Sequence, residues 1–365
     1  MGVCALCGRE GENISRALRL CADCILKDEP QARDLAREAH ERSRSRFGLP
    51  LAPPRDAGGT SCMLCVNVCR IGEGQVGYCG VRQNQAGRLV GGDVAGAAVS
   101  WYYDPLPTNC VADWVCPASG PAGYPQFTDT RGPETGYCNL AVFYEACSFD
   151  CLFCQNWHYR QQRGLSRSHR AEELAAAVNL RTRCICFFGG DPSCQVEHAL
   201  AAARLARAEC AGRILRICWE TNGSVGRPWL KLMAETSLES GGCIKFDLKA
   251  WDESLHRALC GTSNRQTLAN VEYVAGLAQR RSDPPLLVAA TLLVPGYVEA
   301  SQVEKLAAFI AGVGRDIPYT LLAFHPDCEM MDLEATSRRQ AEECLAAAHA
   351  AGLTRVRIGN VHLLH

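Results

Sequence analysis

Residues 140–154 read Leu-Ala-Val-Phe-Tyr-Glu-Ala-Cys-Ser-Phe-Asp-Cys-Leu-Phe-Cys, an apolar strand-like run that leads into three cysteines at x3 and x2 spacings. One short loop of this kind can place three thiolates on three irons of a cubane cluster, which leaves the fourth iron without a protein ligand. A structural zinc site needs a fourth nitrogen or sulfur ligand, and the neighbouring sequence supplies none. Cys147, Cys151 and Cys154 therefore predict a 4Fe-4S cluster with one open iron.

From residue 139 onward, apolar strand-like runs alternate with helix-like stretches. Six strand–helix repeats with right-handed crossovers predict an α/β fold, a parallel sheet that curls into a partial (β/α)6 barrel. The site of such a fold lies at the carboxyl ends of the strands. The predicted strands are 140–146, 184–188, 214–219, 243–248, 286–294 and 319–324, with a late candidate at 355–358. The predicted helices are 171–180, 195–208, 228–237, 268–280, 302–311 and 336–351.

The composition sets broad limits on the chain. Its 365 residues, 47% of them hydrophobic, suffice for one large core and smaller appended units. A formal charge of −1 creates no global field toward nucleic acid or anionic membranes, so we do not expect nucleic-acid binding. The sequence has no apolar stretch of the about 18 residues needed to span a bilayer, and Met1–Glu10 lacks an apolar signal core. We expect a cytoplasmic protein.

The 23 cysteines are clustered, and in a cytosolic protein such clusters indicate metal sites more often than disulfides. The first four have the spacing of a zinc ribbon or rubredoxin-like site, in which four thiolates close a tetrahedron. We expect zinc rather than iron there, in a structural or partner-binding role. These four are Cys4, Cys7, Cys21 and Cys24.

A second module spans residues 62–79, and its four cysteines suit either zinc or a further iron–sulfur cluster. They are Cys62, Cys65, Cys69 and Cys79. Within the module, residues 72–77 match the dinucleotide fingerprint GxGxxG, but no strand pattern precedes them and no long helix pattern follows. We interpret these glycines as a tight metal-binding loop.

The remaining cysteines divide into two sets. Cys110, Cys116 and Cys138 lie in a connection rich in Pro, Gly and aromatic residues and are candidates for an auxiliary cluster. Several others lie in or beside apolar patterns, where a free cysteine packs as a small hydrophobe. The second set includes Cys184, Cys186, Cys210, Cys218, Cys243, Cys260 and Cys344.

Three domains are expected on this basis. Residues 1–48 form a zinc-ribbon-like module followed by a helical segment, and a Pro- and Gly-rich linker ends near residue 60. Residues 60–138 hold the second cysteine module and a connection, and residues 139–365 form the barrel.

Motifs at the predicted strand ends resemble those of the radical S-adenosylmethionine (SAM) superfamily, whose CxxxCxxC loop holds a 4Fe-4S cluster that SAM chelates at the open iron. The resemblance is closest to the pyruvate formate-lyase activating enzymes across residues 140–330. It rests on Gly189-Gly190-Asp191, Glu220-Thr221-Asn222-Gly223, Asp247-Leu248-Lys249, Leu255–Asn264, Val294-Pro295-Gly296 and His325.

The resemblance assigns SAM contacts position by position. Phe153, Gln155 and Asn156 would lie on the adenosine side, and His325 would lie by the adenosyl moiety. The amino group would contact the residues Gly189, Gly190 and Asp191. The remaining polar contacts implied by the strand ends are Glu220, Asn222, Asp247 and Lys249, with Asp247 and Lys249 by the carboxylate.

Two features depart from the activating enzymes. Alternate residues of a strand share a face, so Lys245, Asp247 and Lys249 point to one side. Such charges form either an internal salt-bridge network or a ligand pocket. The family has a monovalent cation between the positions of Glu220 and Asp247, and we expect the Lys245 ammonium to replace it. The family's arginine before Val-Pro-Gly is absent from residues 289–293, so the resemblance does not extend to glycyl-radical substrate recognition.

The amino-terminal half is similar instead to AmmeMemoRadiSam-associated radical SAM proteins. That similarity covers about residues 62–90 and 145–160 and includes the Cys-Gln-Asn-Trp sequence that closes the cluster motif. It does not settle the reaction. The leading segment with the first four cysteines lies outside both resemblances.

Together the resemblances imply an oxygen-sensitive enzyme that cleaves SAM reductively and forms a 5'-deoxyadenosyl radical for hydrogen abstraction. We expect a protein or peptide substrate and a reductant such as flavodoxin or ferredoxin. One alternative is a radical SAM enzyme acting on a small molecule or lipid. The alternative from another class is a zinc-ribbon binding protein with a non-catalytic barrel, which would contain zinc without iron.

Overall fold

The structure, a computed structural model, describes residues 1–161 and 168–365. Its principal unit is a nine-stranded sheet in the order β15-β14-β13-β12-β11-β10-β8-β7-β9. The strands of the described residues are β1 Gly2–Val3, β2 Glu10–Gly11, β3 Thr60–Ser61, β4 Arg70–Ile71, β5 Gln83–Gln85, β6 Arg88–Val90, β7 Ala97–Pro105, β8 Cys138–Tyr144, β9 Ser168–His169, β10 Thr182–Gly189, β11 Arg216–Thr221, β12 Ile244–Asp247, β13 Leu287–Leu293, β14 Tyr319–Ala323 and β15 Val356–Gly359.

Most of the α-helices cover the outer face of this sheet, whereas the first two and the sixth pack together beside the cysteine loop. They are α1 Ala22–Leu26, α2 Pro30–Ser45, α3 Ala171–Ala175, α4 Val196–Glu209, α5 Arg227–Ser240, α6 Glu253–Cys260, α7 Arg265–Ala278, α8 Ala300–Val313 and α9 Arg338–Ala350. Strand β13 is buried along its whole length, as expected for a continuous apolar run in the middle of a parallel sheet.

The α/β barrel predicted from the strand–helix repeats is confirmed. Strand β8 and strands β10 to β15 pair in parallel, so the late candidate adds a seventh parallel strand to the six expected. Several elements were not predicted, among them β7 and α6. Strand β7 pairs antiparallel with β8, although it precedes the expected domain limit at residue 139, and helix α6 follows β12.

The amino-terminal segment packs against the carboxyl end of the barrel. The backbone N–H of Ser15 donates to the Tyr297 hydroxyl at 3.0 Å, and that hydroxyl donates to the Leu20 carbonyl at 2.8 Å. Helix α2 brings His40 to Asp150, with 2.9 Å between imidazole Nδ1 and carboxylate Oδ2. The first cysteine module is therefore attached directly to the cluster loop and to the segment after β13.

Candidate active site

The cysteine loop of residues 147–154 begins just beyond the carboxyl end of β8 and is held by backbone hydrogen bonds to the end of α6. The N–H of Asp150 donates to the Cys260 carbonyl at 2.9 Å, and that of Leu152 donates to the Leu259 carbonyl at 3.0 Å. Cys151 is buried, while Cys147 and Cys154 are half-buried. The loop is thus fixed at the end of the barrel where parallel α/β folds place their sites.

The sulfur atoms of the loop are too far apart for one metal ion. Among the described residues, only the group Cys4, Cys7, Cys21 and Cys24 has all its ligand atoms within 4.8 Å of one another. The cysteines of an iron–sulfur cluster bind different irons, so they stand further apart than the ligands of a single ion. The arrangement of Cys147, Cys151 and Cys154 fits a cluster.

Their surroundings keep these thiols protonated in the absence of metal. Burial raises the pKa of Cys154 to about 11 and raises the pKa of Cys147 well above its ordinary value, with a further contribution from the Asp191 carboxylate. The pKa of Cys151 is raised by a hydrogen bond with Cys260, followed by burial. Because only thiolates bind metal, cluster assembly must release protons here. The sequence interpretation of Cys260 as a small hydrophobe missed its contact with a cluster cysteine.

Asp191 joins the ends of β10 and β11. Its buried carboxylate accepts hydrogen bonds from the N–H of Ser193 at 2.8 Å, the N–H of Asn222 at 2.6 Å and the hydroxyl of Thr221 at 3.0 Å. The Asn222 amide in turn donates to Ser148 Oγ at 2.9 Å and lies 3.7 Å from Cys147 Sγ. Both Asp191 oxygens are occupied by protein donors, so its position supports a structural role beside the cluster loop.

Gly189 and Gly190 allow β10 to approach the cluster loop closely. A Cβ on Gly190 would lie 2.2 Å from the Ala146 carbonyl oxygen, and one on Gly189 would lie 2.5 Å from the Tyr144 nitrogen. Gly189 also has φ = +114°, a conformation that side chains disfavour. Any residue other than glycine would push the loop away from the strand.

The charged side chains of β12 form two separate contacts. Lys245 is buried, and its ammonium lies 3.0 Å from the Glu220 carboxylate. Lys249 donates to Asp247 Oδ2, and its ammonium lies 5.7 Å from the ring centre of Phe153. Burial lowers the pKa of Lys249, and the neighbouring Asp247 carboxylate raises it. The net result is a pKa higher than that of an ordinary lysine, so this ammonium stays charged. The Lys249 ammonium therefore lies between Asp247 at the end of β12 and Phe153 of the cluster loop.

Two buried polar atoms near the loop lack partners. Gln155 Nε2 and Asp247 Oδ1 find no hydrogen-bond partner among the residues that the structure describes. A buried polar atom without a hydrogen-bond partner costs folding free energy. A bound ligand that accepts a hydrogen bond from Gln155 and donates one to Asp247 would therefore stabilise both side chains. Gln155 and Asn156 line a cavity of about 380 Å³ that extends into the barrel past Glu220 and Lys245. These orphaned atoms fit a polar ligand such as SAM.

His325 follows β14, on the same end of the barrel. It is half-buried, and its Nδ1 lies 3.2 Å from the Pro326 carbonyl. The structure thus places every predicted SAM contact at the carboxyl ends of the strands, either in the last residues of β10, β11 and β12 or in the loops after β8, β10, β11, β12 and β14. Their roles as SAM contacts stay predictions.

The first four cysteines form a compact group. Cys7 Sγ and Cys21 Sγ are 3.8 Å apart, which matches the edge of about 3.8 Å that a tetrahedron with Zn–S bonds of about 2.3 Å requires. The hairpin of β1 and β2 and the short helix α1 carry the two Cys-x2-Cys pairs. This group can hold one metal ion.

The second module gains a cysteine that the sequence did not indicate. Cys194, in the turn after β10, lines a small enclosed cavity with all four cysteines of the module, Cys62, Cys65, Cys69 and Cys79. Its thiol is hydrogen-bonded to Cys65 and Cys79. The module therefore shares its sulfur-rich centre with the barrel.

No helix among the described residues is long and apolar enough to cross a membrane. Residues 141–310 match the sequence profile described as the Radical SAM superfamily. An uncharacterized protein of Methanocaldococcus jannaschii is 26% identical over 318 residues, covering 84% of this chain and 83% of that protein.

Two further similarities concern activating enzymes. Pyruvate formate-lyase 1-activating enzyme of Escherichia coli K12 is 24% identical over 188 residues, which cover 50% of this chain and 73% of the enzyme. A crystal structure of a domain of pyruvate-formate lyase-activating enzyme from Bacteroides vulgatus covers 48% of this chain and 98% of the domain, with 20% identity and a TM-score of 0.39.

Proposed function

We propose that this chain, whose residues 141–310 match the Radical SAM superfamily profile, holds a 4Fe-4S cluster on Cys147, Cys151 and Cys154 and acts on a protein or peptide. The observation that carries the cluster assignment is the loop itself, whose three widely spaced thiols stand beside unpaired polar atoms of Gln155 and Asp247. When bound, the reduced cluster and SAM supply reductive cleavage to methionine and a 5'-deoxyadenosyl radical, which abstracts a substrate hydrogen.

The chain's own residues would bind and orient SAM. The Gln155 amide and the Asp247 carboxylate each offer an unused hydrogen-bonding atom, and the Lys249 ammonium supplies a positive charge for a carboxylate. Asp191 and Asn222 hold the loop after β11 against the cluster loop, as described above. The buried barrel wall excludes water, which protects a radical from side reactions.

A protein or peptide substrate is supported by similarity to pyruvate formate-lyase 1-activating enzyme, whose name identifies another enzyme as its target. The competing small-molecule reading is favoured by the cavity of about 380 Å³ inside the barrel, which could enclose a small substrate. The two readings differ in where the abstracted hydrogen originates.

To separate them, the reconstituted enzyme would be assayed with SAM, dithionite and extract from cells of the source organism grown in deuterated medium. We expect the macromolecular fraction to transfer deuterium into 5'-deoxyadenosine, and we expect protease treatment to abolish the transfer. Deuterium transfer from the dialysable fraction alone would contradict a macromolecular substrate.

We further propose zinc at Cys4, Cys7, Cys21 and Cys24, and a second metal centre held by Cys194 with the cysteines of residues 62–79. Flavodoxin or ferredoxin remains the proposed reductant.

Replacing Cys21 with serine should remove most of the bound zinc, because a structural tetrahedral site depends on all four thiolates. Zinc would be counted by mass spectrometry after dialysis against metal-free buffer, with Cys344→Ala as the matched control, since Cys344 lies in the hydrophobic core. Unchanged zinc in the Cys21→Ser protein would exclude this site.

The position of Lys245 predicts that SAM cleavage does not depend on a monovalent cation. Its ammonium already contacts Glu220, while Asp247 is paired with Lys249, so neither carboxylate needs an added ion. The rate of 5'-deoxyadenosine formation in potassium or sodium chloride should equal that in tetramethylammonium chloride at the same ionic strength. A steep increase with potassium or sodium would contradict this role of Lys245.

A further inference from the structure

Three neighbouring strands present cysteines to the inside of the barrel at one level. Cys186 on β10 is the register partner of Cys218 on β11. Cys243 lies just before β12. Because Trp219 pairs with Ile244, Cys243 stands next to Cys218 at the same level of the sheet. The thiols of Cys218 and Cys243 are hydrogen-bonded to each other. Cys184 lies two residues before Cys186 and therefore on the same face.

Two more cysteines reach this place from the segment that closes the amino end of the barrel. Residues 106–137 cross this end, and their buried Ala112 and Val115 pack with the cysteines of the strands. The segment is anchored by Trp114, whose indole N–H donates to Thr320 Oγ1 at 3.3 Å. This segment packs Cys110 against Cys186, Cys218 and Cys243, and it packs Cys116 beside Cys184.

All six thiols line the cavity of about 380 Å³, so they do not pack simply as small hydrophobes. Cys210 and Cys344, by contrast, lie in the main hydrophobic core. The ammonium of Lys245 lies 3.1 Å from Cys110 Sγ and 3.0 Å from Cys186 Sγ. The Lys245 ammonium already pairs with the Glu220 carboxylate, and its contacts with two thiols would in addition favour an anionic, thiolate-ligated centre beside it.

Cys116, Cys218 and Cys243 form the middle of this arrangement. They also line a second, adjacent cavity of about 10 Å³, together with Pro284 and Pro285. Among the described residues, no three of the six thiols lie within the 4.8 Å spacing found for the first cysteine group. The six thiols therefore do not stand at the spacing of one tetrahedral ion, and a cluster of several metals offers more widely spaced ligand positions.

We propose that the closed end of the barrel holds a second iron–sulfur centre, whose ligands come from Cys116, Cys218, Cys243 and the neighbouring Cys184 and Cys186. This site is separate from the cluster loop, which lies at the opposite ends of the strands. The Lys245 ammonium would offset the negative charge of the thiolate-ligated centre. The proposal does not depend on SAM cleavage.

The test uses the full chain with Cys147, Cys151 and Cys154 replaced by alanine, which removes the first cluster. This background is compared with the same protein carrying in addition Cys218→Ala and Cys243→Ala. After anaerobic reconstitution, iron and sulfide would be counted and Mössbauer spectra recorded. We expect the additional changes to remove about four irons per chain, the content of one [4Fe–4S] centre. The matched control carries Cys210→Ala and Cys344→Ala in the same background, and its iron content should equal that of the background protein.

Circular dichroism and the zinc content of the first cysteine group report whether each variant folds. If the protein with Cys218→Ala and Cys243→Ala does not fold, a variant with Cys116→Ser in the closing segment is used in its place. It should show the same loss of iron. Equal iron and sulfide in folded background and variant proteins would overturn the proposal. Zinc in place of iron at this site would overturn it as well.

Discussion

Replacing Cys151 with alanine is expected to reduce 5'-deoxyadenosine formation by at least about 10³-fold, the scale of losing an essential catalytic group. Cys151 is the buried member of the cluster loop, so no water-accessible substitute ligand can easily take its place. Loss of one thiolate leaves an iron without its protein ligand, and the cluster should be lost or unable to cleave SAM.

Cys344→Ala is the matched control, because it removes a buried thiol from the core and leaves the cluster loop intact. Both proteins would be reconstituted anaerobically, their iron counted, and the nucleoside product measured by chromatography. Activity of Cys151→Ala comparable to the control would exclude the cluster assignment. A Cys151→Ser variant tests the ligand more narrowly, since serine preserves the approximate shape and replaces sulfur with oxygen.

The second large effect concerns stability, at Asp150 within the cluster loop. Its carboxylate is fully buried and lies 2.9 Å from the Arg160 guanidinium and 2.9 Å from the imidazole Nδ1 of His40. A further guanidinium, that of Arg44, lies at 3.7 Å. Asp150→Ala would leave buried positive charge uncompensated, which typically costs about 3–5 kcal/mol in the free energy of unfolding.

Denaturant unfolding of the metal-free protein measures this cost without the cluster. The control is Asp34→Ala, which removes an exposed partner of Arg37 on α2 and should cost about 0–1 kcal/mol. Equal destabilisation by the two changes would mean that the buried network contributes little. Because His40 belongs to α2, we also expect Asp150→Ala to loosen that helix from the cluster loop, which limited proteolysis would detect.

The sequence predicted the barrel because its evidence is local. Each parallel strand is a short apolar run, and β13 lies within the predicted limits 286–294. Strand β7 was missed because Ala97–Pro105 is an antiparallel strand with several exposed residues, including Tyr102 and Tyr103, so it lacks the continuous apolar pattern of its neighbours. Helix α6 overlaps the family motif Leu255–Asn264, where the sequence pattern did not predict a helix.

The groupings of cysteines were harder to predict because they depend on strand register and on distant segments. Alternation along one strand could have placed Cys184 and Cys186 on a common face, but nothing local states that Cys218 stands beside Cys186. Likewise, Cys194 is more than 100 residues from the module that it completes. Register is set by the packing of the whole sheet, so it becomes visible only in the folded chain.

We propose that the loop at the end of β8 binds a cluster that cleaves SAM. The most direct measurement is 5'-deoxyadenosine formation by the anaerobically reconstituted protein, with iron counted beforehand and dithionite as the reductant. We expect the nucleoside and methionine to form in equal amounts, and only with both SAM and reductant. A fully iron-loaded protein that leaves SAM intact under these conditions would contradict it.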